Sequence, residues 1–249
     1  MNTTLRRGYH ISDMRSLSTA IALSLALTSV AAAAAAAAQV TTVDEGAFTI
    51  TRGGTKPTDR IGQESFTIRR TKGPGGDVVV ANATVTFDTE HLAPALRTDT
   101  SFSPLAYQVE VRMGTDVERL RGRIGGGRFS AQLKNAKGES SKEYIVSDGA
   151  LILDDDIFHQ YYFLVQRARG GSATIPVVIP RRNTQETMRI QAGANEQVRV
   201  GTTSVEARHY TIQEPTGATR QVWADAQGRI LKVQLDASGI TATRDELPR

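Results

Sequence analysis

Histidine, a common catalytic and metal-ligating residue, is scarce in this sequence. Beyond residue 38 there are three, His91, His159 and His209, and no two of them lie at a spacing typical of metal ligands. A zinc site requires three or four ligands at defined spacing. We therefore expect no metal site. His159 is predicted to be solvated or hydrogen-bonded to a neighbouring turn.

Other segments match reactive motifs only in part. The acidic run 154–156 lacks the alternating spacing and the glycine of a calcium loop, and capping of a helix N-terminus accounts for it. The glycines at 125–127 are not followed by the Lys-Ser/Thr pair of a phosphate-binding loop and predict a hairpin turn. The sequence contains no G-x-S-x-G motif. A catalytic triad assembled from distant residues stays open, but we expect no enzyme and no cofactor.

The first 38 residues have the three parts of a secretory signal peptide. Arginines precede an uncharged apolar run at 20–30, which leads into an unbroken alanine tract at 31–38. The run is diluted by serine, threonine and alanine, and a membrane-spanning helix needs about 20 strongly apolar residues. We expect cleavage within residues 31–39 and a periplasmic protein, with secretion beyond the cell as the alternative. The start is either Met1 or Met14.

Composition narrows the classes further. Cysteine is absent, which excludes a lipid-anchored lipoprotein, a disulfide scaffold and a thiol enzyme. Beyond the leader, acidic and basic side chains are nearly balanced and evenly mixed along the chain. This pattern does not indicate a nucleic-acid partner. The low aromatic content of 6% and the charged C-terminus disfavour an outer-membrane barrel.

Strand patterns dominate the rest of the chain. Apolar and polar residues alternate at 105–113 and again at 129–133, which is typical of antiparallel strands with one buried face. Residues 47–52 and 65–70 have nearly the same sequence and predict a hairpin, followed by a third strand at 78–87.

The C-terminal region predicts a three-stranded meander. Two tetrads, DAQG at 225–228 and DASG at 236–239, begin with aspartate and end with glycine. The aspartate carboxylate can accept hydrogen bonds from the turn, and glycine adopts the left-handed conformation that closes it. The predicted strands are 219–224, 229–235 and 240–244, with Leu231, Val233 and Leu235 on the buried face.

One segment has helical rather than strand periodicity. We predict a helix over 154–168, with acidic residues at its start, arginines near its end and glycines after it. Its apolar stripe contains Phe158, Tyr161, Tyr162 and Val165. The predicted fold is mainly all-β, a large curved antiparallel sheet or half-barrel with this helix on its concave face. We expect a short linker at 39–44 and a single β-rich domain at 45–249.

The C-terminal third also carries a family resemblance. The C-terminal residues that carry it are Glu206, Ala207, Arg208, His209, Tyr210, Val222, Trp223, Asp225, Gly228, Lys232 and Val233. Together with the opening stretch 48–54, they resemble a family of uncharacterised bacterial exported β-sheet proteins, which is similar in shape to the periplasmic lipoprotein carriers. The resemblance implies an incomplete barrel over a helix and the binding of an apolar or lipid ligand beside Phe158, Tyr161, Tyr162 and Val165. The alternative is a non-catalytic structural or protein-interaction component of the envelope.

Overall fold

The computed structural model describes residues 40–249, except residues 55 and 74. The predicted leader and its cleavage region therefore lie outside the described residues. The first strand begins at Thr41, so residues 41–44 belong to the sheet and the predicted linker at 39–44 is wrong over those four positions.

Within residues 40–249, fifteen strands form one sheet that does not close into a barrel. Its order is β8-β7-β6-β5-β4-β3-β2-β1-β15-β14-β13-β12-β11-β10-β9, so β8 and β9 are the two edges. Every neighbouring pair is antiparallel except the short parallel pair β9–β10. The strands are β1 (Thr41–Arg52), β2 (Arg60–Gly73), β3 (Gly76–Phe87), β4 (Glu90–Asp99), β5 (Pro104–Met113), β6 (Asp116–Gly125), β7 (Arg128–Asn135), β8 (Gly138–Ile145), β9 (Leu151–Ile152), β10 (Ser172–Ile179), β11 (Thr184–Val200), β12 (Thr203–Gln213), β13 (Thr219–Ala224), β14 (Ile230–Leu235) and β15 (Ile240–Arg244).

Helical structure among the described residues is limited to a short 3-10 helix at Pro57–Asp59 and one α-helix, α1, at Tyr161–Ala168. The predicted fold class, mainly β with one large antiparallel sheet and one helix, is confirmed. The side of the sheet that packs against α1 is called the inner face below, and the opposite side the outer face.

The predicted C-terminal meander is confirmed almost residue for residue. Asp225 accepts hydrogen bonds from the backbone N–H groups of Gln227 (2.9 Å) and Arg229 (2.8 Å), and Gly228 has the positive φ of 81° that the turn requires. In the second turn the Asp236 carboxylate instead accepts from the side chains of Thr219 and Gln221.

One residue of the meander faces the other way from its prediction. The pairing of β13 with β14 shifts register between Trp223 and Ala224. A bulge of this kind reverses the alternation of side chains along the strand. Leu231 therefore joins Trp223 in a small cluster on the outer face, while Val233 and the partly buried Leu235 pack on the inner face.

The predicted helix over 154–168 begins too early, because α1 starts at Tyr161. Two local features prevent a helix before it. Asp156 has a φ of 63°, in the left-handed region that a helix excludes. The backbone N–H of Asp154 donates to the side-chain Oε1 of Gln160 at 2.7 Å. The acidic run therefore does not cap the helix, and the capping interpretation was wrong.

A second, smaller cluster lies on the outer face of β13 and β14. The paired strands β11 and β12 shift register between Ala192 and Asn195, and beyond that shift Val198, Val200 and Ala207 pack against Trp223 and Leu231. The Trp223 ring stacks on His209 at 4.8 Å, and Lys232 lies over it at 4.6 Å. Trp223 is buried in this cluster and Tyr210 is buried in the main core. Packing against neighbouring side chains therefore explains the presence of both aromatic residues.

Candidate functional site

The residues predicted to line an apolar site are part of the main core. Phe158, Tyr161, Tyr162 and Val165 are 1%, 2%, 5% and 0% exposed. The Tyr161 hydroxyl accepts a hydrogen bond from Arg220 Nη1 at 2.6 Å, and the Phe102 ring packs edge-on against Tyr162 at 5.8 Å. Their role in ligand binding stays a prediction, and an apolar ligand at these side chains would have to displace α1 from the sheet.

A buried carboxylate holds the segment that leads into α1. Glu64, on the inner face of β2 and fully buried, accepts hydrogen bonds from the backbone N–H of Phe158 (2.6 Å) and of His159 (3.1 Å). It also bonds His159 Nδ1, and the Phe66 ring stacks on the imidazole at 5.7 Å. His159 is 1% exposed, so the solvated alternative is wrong, and its partner comes from a distant strand rather than from a neighbouring turn.

The Glu64–His159 pair has part of the geometry of a catalytic dyad without its other requirements. A serine-type triad needs a hydroxyl nucleophile at the second imidazole nitrogen. His159 Nε2 has no hydrogen-bond partner among the described residues, and both side chains are 0% exposed. A substrate does not reach this pair, which therefore positions the 158–160 segment against β2.

A second buried network involves the start of the acidic run. Asp154, 1% exposed, accepts hydrogen bonds from the Tyr107 hydroxyl at 2.7 Å and from Arg181 Nε at 3.2 Å. Burial raises the pKa of the Asp154 carboxyl, and Arg181 opposes that shift. Burial, followed by the neighbouring Asp154, raises the pKa of Tyr107 well above its ordinary value. The network ties β5 to the turn after β10.

A cavity of about 920 Å³ is open to the outer face of β3–β8. The alternation on β6 shows this orientation. Arg121 and Arg123 are exposed on the outer face, whereas Leu120 and Gly122 are buried on the inner face. We call this cavity the outer groove. Its outward-facing lining residues are Val80, Asn82, Ala95, Arg97, Ala106, Gln108, Arg121, Arg123, Ser130, Gln132, Ser141 and Glu143.

The outer groove is polar and basic. The Glu143 carboxylate pairs with Arg128 at 2.8 Å and accepts a hydrogen bond from Ser130 at 3.3 Å. By contrast, Arg97, Arg121 and Arg123 have no ion-pair partner within the part of the chain that the structure describes. Three exposed guanidinium groups thus point into one concave surface with free donors.

Neither a metal centre nor a membrane-spanning helix is found in residues 40–249. No group of three or more histidine, aspartate or glutamate side chains lies close enough to hold a metal ion in that part of the chain. Within the same residues, no helix has the length and apolarity needed to cross a bilayer.

Residues 179–244 match the family model described as a domain of unknown function, DUF6134. The matched segment runs from the end of β10 to the end of β15 and includes most of the region on which the sequence resemblance rested. The predicted resemblance to an uncharacterised β-sheet family is confirmed. No curated protein has a sequence significantly similar to this chain.

Two solved structures match this chain, and one of them has a TM-score above 0.5. The first, a β-barrel-like protein of the domain of unknown function DUF1849 from Brucella abortus, has a TM-score of 0.51 and 9% identity, and covers 84% of this chain and 96% of its own. The second, a DUF1089 family protein from Pseudomonas aeruginosa, has a TM-score of 0.39 and 17% identity, and covers 68% and 82%. The first likeness supports the fold alone. No catalytic family appears among these matches.

Two features of the site escaped the sequence patterns. Glu64 carries a usable signal, because it directly precedes the predicted strand 65–70 and stands two residues before Phe66, on the same face. A charged side chain on a buried face requires a partner. The basic character of the outer groove carries no such signal, because its arginines come from separate strands.

Proposed function

We propose that this chain is exported to the cell envelope and acts there as a binding protein without catalytic activity, with the outer groove as its binding surface. One observation carries the proposal. The inner face is filled by α1 and the core side chains, whereas a cavity of about 920 Å³ lies on the outer face and is lined by exposed polar groups. Ligand sites are typically concave surfaces with a few convergent polar groups.

Export rests on the leader alone. The basic start, apolar run and alanine tract of the first 38 residues have the order of a cleaved signal peptide. The absence of cysteine removes a lipid anchor at the cleavage site. The mature protein is therefore proposed to be free in the periplasm.

The apolar-carrier alternative is less well supported by the side-chain packing. A carrier that shelters a lipid between helix and sheet needs space there, and Phe158, Tyr162 and Val165 occupy that position at 5% exposure or less. A fully packed interior has few voids larger than a water molecule. The groove, by contrast, requires no rearrangement of the core.

A protein-binding role is the second candidate, and the edge strand β8 favours it. This strand pairs only with β7, and nearly all of its residues are exposed, with Ile145 at 76%. An exposed edge has unpaired backbone groups that can add a strand from another chain.

Native mass spectrometry of the full chain, expressed with its leader and recovered from a bacterial periplasm, tests both parts of the proposal. We expect a polypeptide mass that shows cleavage within residues 31–39 and, in the wild type, a noncovalently bound species. Ala106→Trp, which fills the groove, should remove that species, whereas the matched control Ala237→Trp, in an exposed turn, should retain it.

Three outcomes would contradict this account. Recovery of the chain in the cytoplasm with its leader intact would contradict the proposed export. A copurifying lipid that survives Ala106→Trp and appears after organic extraction would place the ligand between α1 and the sheet. A bound protein chain unaffected by Ala106→Trp would favour the β8 edge.

A further inference from the structure

Strand register places arginines in a straight row across the outer face. Arg69 on β2, Arg97 on β4 and Arg123 on β6 are joined across the sheet through Val80 and Ala106, each directly opposite its neighbours in register. Because adjacent strands lie about 4.8 Å apart, successive arginines of the row have Cα atoms about 10 Å apart. We call these three residues the arginine row.

Arg121 extends the positive surface beside the row. It lies two residues before Arg123 on β6 and therefore on the same face. All four arginines are exposed, and none has an ion-pair partner in the described part of the chain. Other arginines of the same face have carboxylate partners: Arg112 and Arg119 share Glu110, each at 2.6 Å, and Arg128 pairs with Glu143 at 2.8 Å.

Unpaired guanidinium groups on one surface repel each other and are suited to anions. The planar fork of arginine matches a carboxylate or a phosphate with two parallel hydrogen bonds. The spacing of the row fits a chain with charges at intervals better than a single small anion, since one anion contacts only one or two of its members.

The groups between the arginines indicate which kind of polyanion fits. Asn82, Gln108 and Gln132 line the groove with amide side chains, which both donate to and accept from hydroxyl groups. Tyr107 is the one aromatic residue in the groove lining, and its side chain is buried on the inner face. The outward lining therefore has no platform for stacked nucleobases and no bulky apolar side chain to insert into a bilayer.

We infer that the outer groove and the arginine row bind a linear acidic oligosaccharide, whose carboxylate or phosphate groups pair with Arg97, Arg121 and Arg123 while its hydroxyls bond the amides. The inference rests on the proposed function of the groove and adds the ligand class to it. Arg69 lies at the end of the row and extends the same contact beyond the groove.

The test is fluorescence polarisation with a labelled oligogalacturonide, in which every sugar carries a carboxylate. A triple variant that combines Arg97→Gln, Arg121→Gln and Arg123→Gln is the first measurement. It should bind at least about tenfold more weakly than the wild type, because three exposed ionic contacts are lost. The matched control combines Arg112→Gln, Arg119→Gln and Arg249→Gln, which removes the same number of charges outside the groove lining. This control should change binding by less than about threefold. Binding of the wild type should also weaken as salt is added.

Further measurements distinguish an acidic oligosaccharide from other ligand classes. Equal losses in the two triple variants, or no binding by the wild type, would overturn it. Tighter binding to phosphatidylglycerol vesicles or to a single-stranded oligonucleotide than to the oligogalacturonide would assign the row to a different polyanion. If a neutral ligand copurifies and is lost in Ala106→Trp, the ligand class is wrong while the proposed function of the groove stands.

Discussion

Replacing Arg244 with methionine is expected to lower the free energy of unfolding by about 3–5 kcal/mol, because it leaves a buried carboxylate without its partner. Arg244 is 1% exposed and Asp44 4%. The guanidinium Nη2 and Nη1 donate to Asp44 Oδ1 at 2.8 Å and Oδ2 at 3.0 Å. The pair joins β15 to β1, the last and first strands of the described chain. Urea denaturation at neutral pH measures the change.

Two further variants make this result specific. Arg249→Met, whose side chain is 89% exposed, should change stability by no more than about 0.5 kcal/mol. Adding Asp44→Asn to Arg244→Met should recover part of the loss, since the uncompensated charge is then gone. Recovery stays incomplete because Arg244 also donates to the backbone carbonyl of Ile230. A loss no larger than that of Arg249→Met would show that the pair is solvated.

The second large effect concerns the helix segment. Phe158→Ala is expected to cost about 3–5 kcal/mol of unfolding free energy, because the truncation leaves a cavity in a packed interior. Phe158 is 1% exposed and its backbone N–H donates to Glu64, so the surrounding structure is held in place and collapses little. Met113→Ala, at a side chain 56% exposed, is the control and should be nearly neutral.

The same pair of variants distinguishes a core helix from a lid. If α1 covered an empty pocket, Phe158→Ala would cost about as little as Met113→Ala and would strengthen binding of an apolar fluorescent probe. A packed core predicts the opposite pattern, a large loss of stability without a gain in probe binding at low probe concentration.

Much of the sheet was predictable because its signals are local. Alternation at 105–113 and the aspartate–glycine turns at 225–228 and 236–239 depend on residues next to each other in sequence, and β5, β13, β14 and β15 follow them closely. The two similar segments at the start lie on the antiparallel neighbours β1 and β2, but the register is offset, so that only Ala47 and Ser65 of these segments are opposite each other. The predicted orientation of Leu231 was wrong because a bulge cannot be recognised from the alternation of apolar residues.

The helix start was wrong for a different reason. Apolar spacing at 157–165 fits a helix that starts within the acidic run. However, the segment before Tyr161 is held in another conformation by hydrogen bonds: Phe158 N–H donates to Glu64, and Tyr107 and Arg181 donate to Asp154. Contacts between residues so far apart in sequence override local propensity.

The candidate site was the least predictable part. Even mixing of charge along the chain hides the arginine row, because Arg69, Arg97 and Arg123 meet only through the register of five paired strands. A one-residue shift of any one pairing would move side chains of that strand to the inner face. The row is therefore a property of the folded sheet.

Native-state hydrogen exchange of the α1 amides, Tyr161–Ala168, tests the central claim most directly, which is that the helix is core and ligands bind outside it. We predict that the free energies of opening lie within about 1 kcal/mol of the free energy of global unfolding and depend on urea in the same way, as they do for core elements. Exchange at a much lower free energy, insensitive to urea while the strands stay protected, would show that the helix opens by itself. That result would place the binding site on the inner face, between α1 and the sheet.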